Sequence, residues 1–165
     1  MSDAIDIKVM AAECEGDRAD RARPCTCMRL RRISRQITSM YDAALAENGV
    51  SIVTYAVLST LQRDEPLTLS ALAERVGTDR TTLSRTIERM RSADLVNAAP
   101  GDDRRERLLT LTTHGRVTVE AAQRSWLAKA RELEERYGAE RLEMLHELLA
   151  DLEAVAKTNE PGADH

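Results

Sequence analysis

The sequence predicts a mainly α-helical chain of six helices, with one two-stranded hairpin between the fourth and the fifth. Three observations carry this. Apolar residues recur at steps of three and four along most of residues 24–157, the period of helices that bury one face. Strand-like runs are confined to residues 95–111, on either side of the turn sequence Pro100-Gly101-Asp102-Asp103. Stop and cap signals fall between the apolar runs, as at Asn48-Gly49-Val50-Ser51 and Val76-Gly77-Thr78-Asp79.

Pro24 suits the first turn of a helix. From there Leu30, Ile33, Ile37, Met40, Tyr41 and Ala44 form one apolar face of a first helix ending near Asn48-Gly49. Ser51 is an N-cap residue for the second helix, which turns Val53, Val57, Leu58 and Leu61 inward and closes at Asp64-Glu65-Pro66. Leu69, Leu72, Ala73 and Val76 mark a short third helix ended by Gly77. Thr78 or Asp79 caps a fourth that runs to about Ser92, with Leu83, Ile87 and Met90 inward. Leu95-Val96-Asn97 and Arg107-Leu108-Leu109-Thr110-Leu111 are the two strands of the hairpin. Thr112 or Thr113 caps a long fifth helix that Gly138 breaks, and a leucine-rich sixth helix carries Leu142, Leu145, Leu149, Leu152 and Ala156. That stripe, widened by Leu148 and Val155, is broad for a terminal helix and predicts burial against a second copy. Residues 1–22 and 158–165 have no sustained apolar period and are expected to be flexible segments.

Composition narrows the function classes. The chain has 165 residues, 42% of them hydrophobic, about one domain with enough apolar mass for a core. No apolar run approaches the roughly 20 residues of a membrane helix, and residues 1–12 lack the apolar core of a signal peptide. A cytoplasmic protein without a membrane partner is therefore expected. Aromatics are 2% of the chain: Trp126, Tyr41, Tyr55, Tyr137 and no Phe. Single-strand nucleic-acid binding, which needs stacking platforms, is disfavoured. The net charge of −4 hides a segregation. Residues 18–35 hold seven arginines and one acid, whereas residues 132–165 hold ten acids and three bases. Local charge, rather than the total, decides compatibility with DNA. Lysines number three against 21 arginines, a bias that high genomic G+C explains most simply.

The middle of the chain carries the chemistry. A short helix, a turn, a longer helix and then a hairpin make up a winged helix-turn-helix. The longer helix enters the major groove with its N-terminal half, and the hairpin reaches an adjacent groove. Arg80, Thr81, Thr82, Ser84 and Arg85 are the outward polar groups, with Leu83 inward. Arginine pairs bidentately with guanine, and threonine or serine reaches bases or phosphates. At the hairpin tip, Asp103-Arg104-Arg105-Glu106-Arg107 offers arginines to the narrower minor groove. The plain alternative is a solvated charged face, and the hairpin in its proper place weighs against it.

Five segments resemble the multiple-antibiotic-resistance regulator (MarR) family. They are Thr68-Leu69-Ser70-Ala71-Leu72-Ala73, Arg80-Thr81-Thr82-Leu83-Ser84-Arg85, Leu95-Val96, Asp103-Arg104-Arg105 and Leu111-Thr112-Thr113-His114-Gly115. The resemblance covers residues 25–156. It implies a six-helix homodimer whose terminal helices, residues 23–48 and 114–157, interlock around winged helix-turn-helix domains at residues 49–113. It further implies a pseudo-palindromic double-stranded DNA operator and an inducer that is a small molecule or an oxidant. On this pattern Arg105 is the wing arginine in the minor groove and Asp103 supports it. Asp94 stands where the family has glycine, a position that aspartate's tolerance of left-handed backbone allows.

The run from Cys27 through Leu30, Ser34, Arg35 and Thr38 to Tyr41 is similar to the first helix of the organic-hydroperoxide-sensing branch. That likeness implies a redox-sensing Cys27 that tyrosines from the other subunit hydrogen-bond, with Tyr41 fitting one of them. Arg31 and Ile52 depart from the branch, and Cys25 is an added thiol. Independently of the likeness, a helix N-terminus and nearby cations favour the reactive form of a thiol, and Arg29, Arg31 and Arg32 are close in sequence. An inert pair of thiols, an oxidant switch, and soft ligands for arsenite or a thiophilic metal all remain open. Control by a small aromatic ligand is a further alternative. The non-DNA alternatives are a thiol-dependent peroxide-reducing enzyme and a helical adaptor. Nucleotide-binding, zinc-protease and serine-hydrolase motifs are absent, so no catalytic residue, metal or cofactor is expected.

Overall fold

The computed structural model describes residues 25–101 and 107–158. In chain order the elements are α1 (Thr26–Leu45), a single 3₁₀ turn (Ala46–Asn48), α2 (Ile52–Asp64), β1 (Leu67–Thr68), α3 (Leu69–Val76) and α4 (Arg80–Ser92). They continue with β2 (Val96–Pro100), β3 (Arg107–Leu111), α5 (Thr113–Tyr137) and α6 (Ala139–Thr158). The architecture is the expected one, six helices with a hairpin after the fourth. Among the described residues no single helix is long and apolar enough to cross a membrane.

The chain divides between Met40 and Tyr41 into two units. Of the first, the structure describes Cys25 and α1 as far as Met40. Met28, Leu30 and Ile33 on this stretch are exposed. In the second unit, Leu45, Leu58, Leu61, Leu72, Leu83, Val57 and Val119 are fully buried, so α2, α3, α4 and α5 share one core. Burying such a side chain stabilises by roughly 1.5–3 kcal/mol.

Capping places the helices. Ser51, Thr68, Asp79 and Thr112 each accept the backbone N–H three residues on, at 3.2, 3.2, 2.8 and 2.8 Å. Each satisfies a donor that the helix itself leaves orphaned. Asp42 on α1 takes another at the start of α2, accepting the Ile52 N–H at 2.7 Å. Of the paired alternatives in the sequence, Asp79 and Thr112 are the caps.

The sheet departs from the sequence expectation. It has three strands in the order β1-β3-β2, all antiparallel. The unexpected β1 is a two-residue strand that pairs Leu67 with Leu109 and Thr68 with Leu108. β2 also runs further than its apolar residues suggest, ending at Pro100 opposite Arg107. Proline fits there because β2 is an edge strand. Asp94 adopts a φ of 55°, the left-handed backbone expected of it.

Two packing expectations change. Val53 is 49% exposed, while Tyr55 is buried in its place. Trp126 of α5 stacks on Tyr55 at 5.8 Å between ring centroids and on Tyr41 at 6.4 Å, so three of the chain's four aromatics form one cluster. On α6, Met144, Leu145, Leu148, Leu149 and Leu152 are all exposed.

Candidate nucleic-acid interface

α4 presents two chemically distinct faces. Leu83, Thr86, Ile87 and Met90 are buried. Arg80, Thr81 and Arg85 are exposed and Ser84 is half-buried at the edge of the same surface. Neither Arg80 nor Arg85 makes an ion pair or side-chain hydrogen bond among the described residues, so both guanidinium groups are available. Further along this face Glu88 pairs with Arg91 at 3.3 Å. That pair neutralises Arg91, whereas Arg80 and Arg85 keep their charge free in the N-terminal half of the helix. Thr82, expected beside the arginines, is exposed but turns toward a cavity that Thr86 and Arg89 also line.

Asp79 fixes the start of this helix. Hydrogen bonding from Thr82, first by its side chain and then by its backbone N–H, holds the Asp79 carboxyl below the usual carboxylate range. The resulting anion sits at the positive end of the helix dipole and sets where the first turn begins.

The hairpin stem is anchored beside α4. Five residue pairs, from Val96 with Leu111 to Pro100 with Arg107, form it, and Arg107 is exposed at its outer end. Asp103, Arg104 and Arg105, expected at the tip, lie outside the described residues. At the inner end Thr112 donates its hydroxyl to the Asp94 carbonyl at 2.6 Å and its N–H to the Leu95 carbonyl at 3.1 Å. The same hydroxyl accepts the Gly115 N–H. A Cβ on Gly115 would overlap the Leu95 carbonyl oxygen. This explains the Leu-Thr-x-x-Gly pattern: threonine ties the hairpin to α5, and glycine lets the two backbones meet.

Glu65, Arg89 and Asp42 escaped the sequence. Glu65 accepts the Leu111 N–H at 2.5 Å and pairs with Arg116. Arg89 donates to the Thr86 hydroxyl at 3.3 Å at the edge of the cavity, which has a volume of about 510 Å³. Asp42, Ser51 and Thr54 add polar groups to that cavity, and Val53, Met90 and Leu95 add apolar ones. Local patterning gives no signal for the Glu65 contacts, which join residues 46 and 51 positions apart.

The thiols lie at the start of α1. Cys25 immediately precedes the helix, Cys27 is its second residue, and both are exposed. The first helical hydrogen bond runs from the Arg29 N–H to the Cys25 carbonyl at 3.0 Å. Tyr41, expected as a redox partner of the other subunit's Cys27, stacks on Trp126 of its own chain. Among the described residues no group of three or more His, Cys, Asp or Glu side chains could hold a metal ion. Cys14 lies outside them.

Comparison with known proteins agrees with this geometry. A helix-turn-helix domain family matches residues 53–97. No curated protein matches the sequence. Among solved structures, the M. tuberculosis transcriptional regulator MosR in complex with DNA is 31% identical, with a TM-score of 0.71 over 80% of this chain and 98% of MosR. The transcriptional repressor CouR, bound to a 23-mer DNA duplex, is 20% identical with a TM-score of 0.72, over 78% of this chain and 92% of CouR. MarR from E. coli shares the fold at 19% identity and a TM-score of 0.63, over 79% of this chain and 98% of MarR. With these likenesses and its helix-turn-helix and hairpin, the chain belongs to the MarR family of winged helix-turn-helix transcriptional regulators.

Proposed function

We propose that this protein is a sequence-specific, double-stranded-DNA-binding transcriptional repressor that acts as a homodimer on a pseudo-palindromic operator. The observation that carries the reading is Arg80 and Arg85, unpaired among the described residues, on the exposed face of α4 beside the hairpin stem. In a winged helix-turn-helix this face enters the major groove, where each bidentate arginine–guanine pair contributes about 1–3 kcal/mol of discrimination. Arg104 and Arg105 are assigned to the minor groove, with Asp103 as support. The MosR–DNA complex, the relative with the highest identity quoted above, supports a DNA partner. The apolar face of α6 and the exposed apolar residues of α1 support dimerisation through the terminal helices.

The signal assigned to the protein is oxidation at Cys27. The Cys27 thiolate attacks the terminal oxygen of an organic hydroperoxide, the O–O bond breaks, and an alcohol leaves once its alkoxide takes a proton. The product is a sulfenic acid. A second thiol, Cys25 or one from the other subunit, then condenses with it to a disulfide and releases water. Bridging Cys25 to Cys27 disturbs the first turn of α1, whose opening hydrogen bond the Cys25 carbonyl accepts from the Arg29 N–H. The test is duplex binding by the reduced protein and again after one equivalent of hydroperoxide. Loss of binding after oxidation, reversed by a thiol reductant, is expected. A second reading rests on the cavity beside α4. Arg89 with three threonine hydroxyls suits a small aromatic acid, and release of DNA by such an acid from protein lacking Cys27 would favour it.

A further inference from the structure

We propose that Glu65 is a positioning residue for the hairpin, setting where the hairpin arginines meet DNA; this deepens the DNA-binding reading and rests on it. The β1–β3 register pairs Leu67 with Leu109 and Thr68 with Leu108. Two residues further along, the ladder would set Glu65 against Leu111. The backbone at that point belongs instead to the end of α2, where the Glu65 N–H bonds the Leu61 carbonyl at 2.9 Å. The Glu65 side chain supplies what the ladder lacks. Its Oε2 accepts the Leu111 N–H at 2.5 Å, and its Oε1 takes the Arg116 guanidinium of α5. The carboxylate is largely sequestered, 14% exposed against 48% for Arg116.

The consequence is mechanical. Thr112 holds the hairpin to α5 at its β2 edge, through Asp94 and Leu95. Glu65 holds the opposite edge, where β1 contributes only two residue pairs. Two anchors on opposite edges fix a tilt, whereas one leaves a pivot. A five-residue strand is about 17 Å long at about 3.4 Å per residue, so a tilt of about 10° would carry the outer end of the stem, at Arg107, about 3 Å. That displacement takes an arginine out of hydrogen-bond range of a groove.

The test compares Glu65→Ala, Glu65→Gln and Arg116→Gln with the wild type. The probe is a duplex recovered from a random library by in vitro selection with the wild-type chain. Glu65→Ala is expected to speed amide exchange at Leu111 and to weaken binding about tenfold or more, the scale of a hydrogen bond to a charged group. The loss should fall on the flanking minor-groove protection, with the central major-groove footprint kept. Glu65→Gln retains an acceptor for Leu111, so it should keep that amide protected and restore part of the affinity. Arg116→Gln should match it. Wild-type affinity and full flanking protection in Glu65→Ala would overturn the positioning role alone. A wild-type chain that selects no duplex would overturn the DNA-binding reading and this role with it.

Discussion

The backbone of Gly115 packs directly against the carbonyl of Leu95, with no room for a side chain between them. The two residues join the first turn of α5 to the base of the hairpin, and the Leu95 oxygen already accepts the Thr112 N–H. Gly115→Ala must therefore push two backbones apart. Overpacking of this kind costs about 1–3 kcal/mol, and chemical denaturation should show a loss in that range. Gly138→Ala, whose Cβ would meet only the Arg141 Cδ at 4.0 Å, gives a comparison in which any loss comes from its positive φ rather than from a clash.

The Asp79 cap makes a pH-dependent contribution. Its carboxyl is held below the usual range in the folded chain. The stability it adds is thus fully present above the ordinary aspartate value of about 3.9 and is lost as pH falls through the lower folded value. Denaturation of wild type and Asp79→Ala across pH 3 to 7 should show their difference largest near neutrality and shrinking toward the acid end.

Dimerisation through the terminal helices is tested by charge placed on the apolar stripe of α6. Leu145 and Leu152 are both more than a third exposed in the single chain. Leu145→Asp combined with Leu152→Asp should give monomers by sedimentation, and those monomers should no longer bind a two-half-site duplex. A stable dimer in the double mutant would assign the interface elsewhere.

Much of this architecture is written locally. Ser51, Asp79 and Thr112 are caps that a reader can find because the chemistry lies within three residues of each. Gly49 and Gly77 mark stops for the same reason, and the buried face of α4 follows from the spacing of Leu83, Ile87 and Met90. β1 was not legible: a two-residue strand next to Leu69 looks like the start of α3. The exchange of Val53 for Tyr55 was also hidden, since it depends on where Trp126 of α5 arrives. Glu65 reads as part of a helix-ending Asp-Glu-Pro, and only the fold brings Leu111 and Arg116 to it. On the candidate interface, Arg80 and Arg85 were legible from helical period and chemistry. Thr82 is exposed as expected, and only the fold shows that it also lines the cavity beside α4.

The redox assignment predicts a clean separation of Cys27 from Cys14. Cys27→Ser should bind duplex normally when reduced and stay bound after hydroperoxide. Cys14→Ser should be released like wild type. Oxidant release of Cys27→Ser as readily as wild type would remove Cys27 as the sensor and favour control through the cavity beside Arg89.

The central claim, that the N-terminal half of α4 reads base pairs, is tested most directly by fluorescence anisotropy on the selected duplex and a scrambled one across a salt series. For the wild type, log affinity should fall linearly with log salt, and the selected duplex should be strongly preferred. Arg80→Ala and Arg85→Ala should each lose roughly 1–3 kcal/mol of that preference while keeping their binding to the scrambled duplex. Arg105→Ala should instead weaken both duplexes and flatten the salt dependence. Undiminished discrimination in both Arg80→Ala and Arg85→Ala would contradict the account.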